Sequence, residues 1–184
     1  MKVLVLNGSP HKTGTTDKAL SIVEAAMAEP GVESERMWIG NRPVRGCIAC
    51  ERCAETGSCA FTDDLANEIT EHLLASDGLV VGTPVYFAGA NGALLALLDR
   101  VFYAASVHGR RFAGKPACAV TTLWRAGSTS MLDELNRYFT FSGMPAASST
   151  YWNMMLNSDD DSFGEDMLRQ LGENMARLVR TTRA

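Results

Sequence analysis

The sequence predicts an α/β protein in which five parallel strands form one doubly wound sheet with helices on both faces. Short, nearly continuous runs of Val, Leu and Ala alternate with longer amphipathic segments from the first residues onward, a pattern typical of parallel strands buried on both faces. Glycine, proline or asparagine stands at most of the breaks between these segments. A chain of 184 residues without a long linker or an internal repeat is expected to fold as a single domain over residues 1–184.

The first three elements follow from this pattern. Residues 2–6 form an apolar run that ends at Asn7-Gly8-Ser9-Pro10, which predicts a buried strand that leads into a loop. A helix is predicted from Thr15 or Thr16, since apolar residues recur at helical spacing until Pro30-Gly31 ends it. Residues 32–39 are more polar and indicate a second strand, near an edge of the sheet.

The remaining elements alternate in the same way. Asp63 or Asp64 is predicted to cap a helix that ends near residue 75. The run Asp159–Asp161 is interpreted as a solvated turn and helix cap. The other predicted elements are a strand at 77–82, a helix at 92–103, a strand at 117–122, a helix at 130–141, a strand at 146–151 and a helix at 164–180.

Composition and charge exclude some classes of function. The formal net charge of -4 argues against a general nucleic-acid binder, which is usually basic. The start of the chain offers only a short apolar run, too short for a signal peptide. No stretch of the sequence approaches the roughly 20 apolar residues that a membrane-spanning helix needs. We therefore expect a cytoplasmic protein with neither nucleic acid nor membrane as a partner.

Three loops are expected to meet at the carboxyl edge of the sheet, where such folds bind ligands. The first loop, residues 7–16, offers glycines, hydroxyl side chains and a helix N-terminus, which together favour a phosphate monoester. It contains neither a P-loop motif nor the dinucleotide motif G-x-G-x-x-G, so a mononucleotide is the better prediction. The alternative is a plain strand-to-helix turn capped by Thr15 or Thr16.

The other two loops carry aromatic side chains. Residues 82–89 include Pro84, Tyr86 and Phe87, which can form a flat wall for a planar ring. Residues 123–127 include Trp124, which can pack beside a ring, and Arg125, which can meet a negative charge. Alternatively, Tyr86 and Phe87 belong to the core, Trp124 is half-buried and Arg125 is simply exposed.

Three segments of the chain resemble the NADPH-dependent FMN reductases of the flavodoxin superfamily. They are residues 8–16 (GSPHKTGTT), residues 82–87 (GTPVYF) and residues 98–102 (LDRVF), and the likeness extends through residues 151–153 into the last helix. The resemblance implies a flavodoxin-like sheet with strand order 2-1-3-4-5 and bound FMN. It implies that three groups of residues contact FMN: Ser9, Thr15, Thr16 and His11 near the phosphate; Pro84, Val85, Tyr86 and Phe87 along the isoalloxazine ring; and Leu123, Trp124, Arg125 and Gly127 on the third side.

The resemblance also implies an activity. The flavin of such enzymes takes a hydride from NAD(P)H at N5 and passes electrons to a quinone, free flavin, azo or nitro compound, or to a redox protein. The protein supplies orientation and electrostatics, so we assign no catalytic residue. Many relatives complete the flavin site with a neighbouring subunit, so a homodimer or homotetramer is expected.

Four of the five cysteines lie in one loop, at about residues 44–62. The spacing Cys47-x2-Cys50-x2-Cys53-x5-Cys59 resembles the compact motif of the iron–sulfur flavoproteins, whose four thiolates hold a [4Fe–4S] cluster. It departs from the ferredoxin run, because its last gap is longer and no proline follows. Cluster-free thiols and a zinc site are the alternatives. Cys118, within an apolar strand, is interpreted as a buried small hydrophobe.

Two other functions remain open at this stage. The first is an iron–sulfur flavoprotein that carries electrons from ferredoxin and has no nicotinamide site. The second is a flavin-binding regulatory module without catalytic turnover.

Overall fold

Five strands and six helices make up the part of the chain that the computed structural model describes, residues 1–158 and 160–182. The strands are β1 (Lys2–Asn7), β2 (Glu33–Trp38), β3 (Gly78–Pro84), β4 (Ala117–Leu123) and β5 (Met154–Leu156). The helices are α1 (Thr15–Ala28), α2 (Arg52–Thr56), α3 (Ala66–Leu74), α4 (Gly92–Val107), α5 (Ser128–Phe141) and α6 (Ser162–Thr182). In the described residues, no helix is both long and apolar enough to cross a membrane.

The strand order is β2-β1-β3-β4-β5 and each neighbouring pair is parallel, which confirms the predicted sheet. The polar strand β2 lies at an edge, as expected. In the register, Asn7 of β1 lies beside Gly82 of β3, and Pro84 lies beside Thr122 of β4. The loops that follow β1, β3 and β4 therefore leave the same edge of the sheet.

Helices cover both faces of the sheet, and the alternation of side chains in β1 shows how. Leu4 and Leu6 point toward α3, α4 and α5, whereas Val3 and Val5 point toward α1 and α6. All four side chains are fully buried. Burial of each such side chain stabilises the fold by about 1.5–3 kcal/mol, so the two apolar layers fix the position of the loops at the sheet edge.

The fifth strand was predicted at residues 146–151, and this position is wrong. Ala146 makes only an isolated bridge with Ala117, and the paired strand β5 begins eight residues later, at Met154. The side chain of Asn153 explains the displacement. Its Nδ2 donates to the carbonyl of Ala119 at 3.0 Å, and its Oδ1 accepts from the backbone N–H of Ser149 at 2.9 Å. The intervening segment thus loops out of the sheet before the chain returns.

Other element boundaries differ by a few residues. Helix α2 was not predicted, because a five-residue helix is too short to show a helical period. Helix α3 begins at Ala66, whose N–H donates to Asp64 Oδ1 at 3.1 Å. Asp161 caps α6 as predicted, since its Oδ1 accepts from the N–H of Gly164 at 3.0 Å. Asp159, predicted to share that turn, lies outside the described residues.

Candidate functional site

The first loop is held in shape by Asn7, a buried residue at the end of β1. Its Oδ1 accepts from the N–H of Ser9 at 3.0 Å, and its Nδ2 donates to the carbonyl of Lys12 at 3.3 Å. The indole N–H of Trp38 donates to the carbonyl of Ser9 at 2.8 Å. The hydroxyl of Ser9 accepts from the N–H of His11 at 3.1 Å, so its own proton remains available to a ligand.

Gly8 allows the first loop to cross the end of β3 at close range. Its N–H donates to the carbonyl of Gly82 at 2.7 Å. A Cβ at Gly8 would lie 2.6 Å from Leu94 Cδ2 and 2.9 Å from the carbonyl oxygen of Gly82. A larger residue here would therefore push the loop away from the sheet.

The first turn of α1 can bind an anion through its backbone. Its N-cap residue is Gly14, so no side chain caps the free N–H groups of that turn. The two predicted hydroxyls both have protein partners: Thr15 Oγ1 donates to Asn157 Oδ1 at 2.6 Å, and Thr16 Oγ1 lies 2.7 Å from Thr122 Oγ1. Thr16 is buried, so its hydroxyl fastens α1 to β4.

One open cleft of about 330 Å³ runs from this helix N-terminus past the loops after β3 and β4. Two aromatic side chains form its far rim and remain open to solvent: Trp124 is 86% exposed and Tyr86 is 45% exposed. Most of the predicted FMN-contacting residues line this cleft: Ser9, His11, Thr15, Thr16, Pro84, Val85, Tyr86, Leu123 and Trp124.

Phe87 does not line the cleft, because a tight turn directs it into solvent. Tyr86 and Gly89 exchange two backbone hydrogen bonds of 2.9 and 3.0 Å. Between them, Phe87 (φ 48°) and Ala88 (φ 63°) both occupy the left-handed region, which costs about 1–2 kcal/mol for each non-glycine residue. The phenyl ring is fully exposed.

The other two predicted residues outside the cleft are Arg125 and Gly127. Arg125 is exposed. Gly127 affects the cleft indirectly, through the packing of two loops. It has φ +96°, and a Cβ there would lie 2.8 Å from Cα of Ala88. Its missing side chain lets the third loop pack directly against the second.

Sequence reasoning missed the polar residues that join the loops, above all Asn91. Its Oδ1 caps α4 by accepting from the N–H of Ala93 at 3.0 Å, and its Nδ2 donates to the carbonyl of Gly8 at 2.8 Å. The position directly before the predicted helix at Gly92 was the available signal. Asn157 gave no such signal, because it follows a strand that was predicted in the wrong place.

Cys47, Cys50, Cys53 and Cys59 line a second, small pocket, here called the cysteine pocket. Cys47 and Cys50 are exposed, Cys53 is buried in α2 and Cys59 is half-buried, and all four are free thiols. Ala49 (φ 52°) and Glu51 (φ 60°) are both in the left-handed region. These two residues turn the chain sharply between the first three cysteines.

The four thiols are close enough to influence one another. Burial raises the pKa of the Cys53 thiol, and the other three thiols of the pocket raise it further. As they stand, no three His, Cys, Asp or Glu side chains of the described residues are placed to hold a metal ion. A metal centre therefore requires these side chains to rearrange around it. The donor set itself, four unpaired thiols, has the composition that a [4Fe–4S] cluster uses.

The fold and the cleft together define a class of protein: a flavodoxin-like α/β protein with its candidate ligand site at the carboxyl edge of the sheet. The chain belongs to a family within this class. The model of the NADPH-dependent FMN reductase family matches residues 1–158.

Similar proteins carry names of two kinds. An iron-sulfur flavoprotein of Methanocaldococcus jannaschii is 28% identical over 98% of this chain and 98% of its own length. An iron-sulfur flavoprotein of Methanosarcina thermophila is 35% identical over 54% of this chain and 52% of its own length. A putative NAD(P)H-dependent FMN-containing oxidoreductase of Bacillus subtilis is 32% identical over 54% of this chain. The chain thus spans nearly all of the first relative but only about half of the length of the other two.

Solved structures confirm the fold. RosB, crystallised with the intermediate 8-demethyl-8-formylriboflavin-5'-phosphate, superposes with a TM-score of 0.80 at 14% identity, over 100% of this chain and 80% of its own. A flavodoxin from the domain Archaea superposes with a TM-score of 0.66 at 11% identity, over 98% of this chain and 99% of its own.

Proposed function

We propose that this chain is an FMN-dependent oxidoreductase that takes a hydride from NAD(P)H and passes electrons to a small acceptor or a redox protein. A single observation carries the proposal: one cleft joins an uncapped helix N-terminus, suited to a phosphate, to an exposed aromatic rim, suited to a flavin ring. The acceptors considered are a quinone, a free flavin, an azo compound and a nitro compound.

The residues of the cleft divide into two groups by chemistry. The backbone N–H groups at the start of α1 and the hydroxyl of Ser9 would hold the FMN phosphate, with His11 beside them. Pro84, Val85 and Tyr86 would follow one edge of the ring, opposite a second group of lining residues, Leu123 and Trp124. Bound FMN supplies the hydride chemistry, whereas the protein orients the ring and leaves its outer face open to a second substrate.

The electron donor tests this proposal directly. FMN-loaded protein is mixed with NADPH or NADH without oxygen, and flavin absorbance is followed in a stopped-flow instrument. The proposal predicts rapid bleaching by at least one nicotinamide. Bleaching by dithionite but by neither nicotinamide would contradict it.

The cysteine pocket favours a second candidate function, that of an iron–sulfur flavoprotein. Four free thiols line one pocket, and the relative that matches the whole chain bears that name. Cys47, Cys50, Cys53 and Cys59 would ligate a [4Fe–4S] cluster, and electrons would arrive from ferredoxin.

Iron and acid-labile sulfide are measured on protein purified without oxygen to test this second candidate. Cys59→Ser is expected to lose most of the iron, whereas Cys118→Ala, which alters the cysteine outside the pocket, is expected to retain it. Iron-free protein after reconstitution with iron and sulfide would rule the cluster out.

A protein that binds FMN but accepts electrons from neither NAD(P)H nor ferredoxin would instead be a regulatory module.

We also propose that the chain forms a homodimer or homotetramer through the face between α4 and α5. Phe141 there is 92% exposed, and Tyr103 and Val107 are partly exposed beside it. Glu134 and Arg137 line the same groove, so two copies related by a two-fold axis can pair opposite charges. Light scattering that shows dimers for the native chain and monomers for Phe141→Asp would support this interface, and native monomers would exclude it.

A further inference from the structure

Arg100 lies near the middle of α4, and its guanidinium is almost completely buried. A buried cation is tolerated only when its donors are paired. Its Nη2 donates to Asp64 Oδ1 at 2.9 Å, and its Nη1 donates to Asp64 Oδ2 and to the carbonyl of Arg45 at 3.2 Å. The carboxylate of Asp64 therefore binds both terminal nitrogens of the guanidinium, one with each oxygen, and this pair of hydrogen bonds fixes the plane of the group.

Nη2 of Arg100 also donates to the carbonyl of Phe61 at 3.5 Å, and the last donor, Nε–H, points at sulfur. With its outer edge held by Asp64, Nε–H donates to Cys59 Sγ at 3.2 Å. The backbone of Cys59 is held from another helix, because its N–H donates to Asn67 Oδ1 at 2.7 Å and its carbonyl accepts from Asn67 Nδ2 at 3.0 Å. Cys59 is thus fixed at its backbone by α3 and at its sulfur by α4.

Cys47 and Cys50 lack such a contact from a side chain. Both are exposed, and within the described residues the hydrogen bond given for their sulfurs is a 3.4 Å contact from the N–H of Ala49 to Cys47 Sγ. Arg45 is a second guanidinium in the same region. Both guanidinium groups lie over the ring of Phe61, but Arg45 pairs with Asp63 rather than with a sulfur. The contact of Arg100 with Cys59 is therefore specific and not a general effect of nearby positive charge.

We propose that Arg100 is the positioning residue of the cysteine pocket, with its Nε–H holding the Cys59 sulfur in place and stabilising negative charge on it. This inference rests on the second candidate function, in which the pocket is a redox centre. Hydrogen bonds to ligand sulfur stabilise the more negative, reduced form of a cluster and so raise its reduction potential. Lysine cannot replace arginine here. A single ammonium group cannot donate two hydrogen bonds to the carboxylate of Asp64 and also donate to Cys59 Sγ in a fixed direction.

Three variants test the proposal in protein reconstituted with iron and sulfide: Arg100→Lys, Arg100→Gln and the control Arg45→Gln. The readout is the midpoint potential of the cluster, from a redox titration followed by electron paramagnetic resonance. At a fixed potential, both Arg100 variants are expected to lower the ratio of reduced to oxidised cluster by about tenfold, equivalent to about 59 mV for one electron. Arg45→Gln is expected to remain close to the native value. A native potential in Arg100→Lys, or an equal shift in Arg45→Gln, would overturn the positioning role.

A second measurement needs no cluster and separates the two proposals. In protein without iron, hydrogen–deuterium exchange is followed in the peptide that contains Cys59, with retained FMN binding as the check on folding. Exchange is expected to be about tenfold faster in Arg100→Lys and unchanged in Arg45→Gln, because local opening becomes easier when a buried contact is lost. Unchanged exchange in Arg100→Lys would overturn the inference. Failure of the native chain to take up iron would overturn only the cluster.

Discussion

Cys118 differs from the other four cysteines because β4 removes it completely from solvent. Burial raises the pKa of its thiol from an ordinary value of 9.0 to about 12. This confirms the interpretation from sequence, in which a cysteine inside an apolar run acts as a small hydrophobe. The exposed thiols among the described residues are those of Cys47 and Cys50, in the cysteine pocket.

Burial of the Cys118 thiol makes the free energy of unfolding depend on pH in the alkaline range. Because the pKa of this thiol is higher in the folded state than in the unfolded state, its contribution to stability is fully present below about pH 9 and is lost as pH rises toward 12. Within that window the loss approaches about 1.4 kcal/mol per pH unit. Urea unfolding of native protein and Cys118→Ala at neutral and alkaline pH measures this, and the variant is expected to have the shallower decline. Parallel declines in the two proteins would contradict the assignment.

At the scale of elements, the site depends on two loops that fit closely where Gly127 meets the turn at Phe87 and Ala88. Gly127→Ala is expected to destabilise the fold by more than about 1 kcal/mol, because it combines a left-handed φ with a steric overlap. Ala88→Gly is the matched opposite change and is expected to stabilise the fold by about 0.5–1 kcal/mol, since it relieves the left-handed backbone. Thermal and urea unfolding of both variants check the pair. A destabilised Ala88→Gly would show that the turn is not strained.

Helix α4 connects the cleft to the cysteine pocket. Its cap Asn91 holds the first loop, and Arg100 in the same helix holds Cys59. Arg100 lies nine positions after Asn91, which corresponds to about 13–14 Å along the helix axis. One rigid element thus sets the position of both candidate sites.

Replacement of Asn91 tests this connection. Asn91→Ala is expected to cost about 1–2 kcal/mol of stability, because it removes a helix cap, and to weaken FMN binding, because the first loop loses its bond from Asn91 to Gly8. Asn91→Asp keeps the cap but cannot donate to the carbonyl of Gly8. It should therefore separate the two effects, with stability closer to native and FMN binding still weakened in a fluorescence titration. Native FMN affinity in Asn91→Asp would refute the role in the first loop.

The elements show what sequence can and cannot predict here. Strands β1, β3 and β4 were predicted because their continuous apolar character has few alternative explanations, and the shared edge of their loops followed from the parallel order. The position of β5 was missed because one buried amide, Asn153, decides it through contacts distant in sequence. The same reason applies in the cleft, where the outward turn of Phe87 and the bond from Thr15 to Asn157 depend on packing between loops.

At the scale of the whole molecule, the sheet places two candidate sites on one chain: the cleft at its carboxyl edge and the cysteine pocket beside α4. The proposed function rests on the cleft, because its lining suits FMN and the chain belongs to the FMN reductase family. Under the two proposals, a cluster in the cysteine pocket would favour ferredoxin as the electron donor, whereas a pocket without one would favour NAD(P)H.

The most direct test is the absorption spectrum of protein purified without oxygen, supplied with FMN and freed of excess ligand. We expect a two-banded flavin spectrum at an equimolar ratio of FMN to chain, bleached on addition of NAD(P)H. Any cluster would add a broad visible shoulder beneath those bands. A colourless protein that does not retain FMN would contradict the assignment of the cleft as an FMN site.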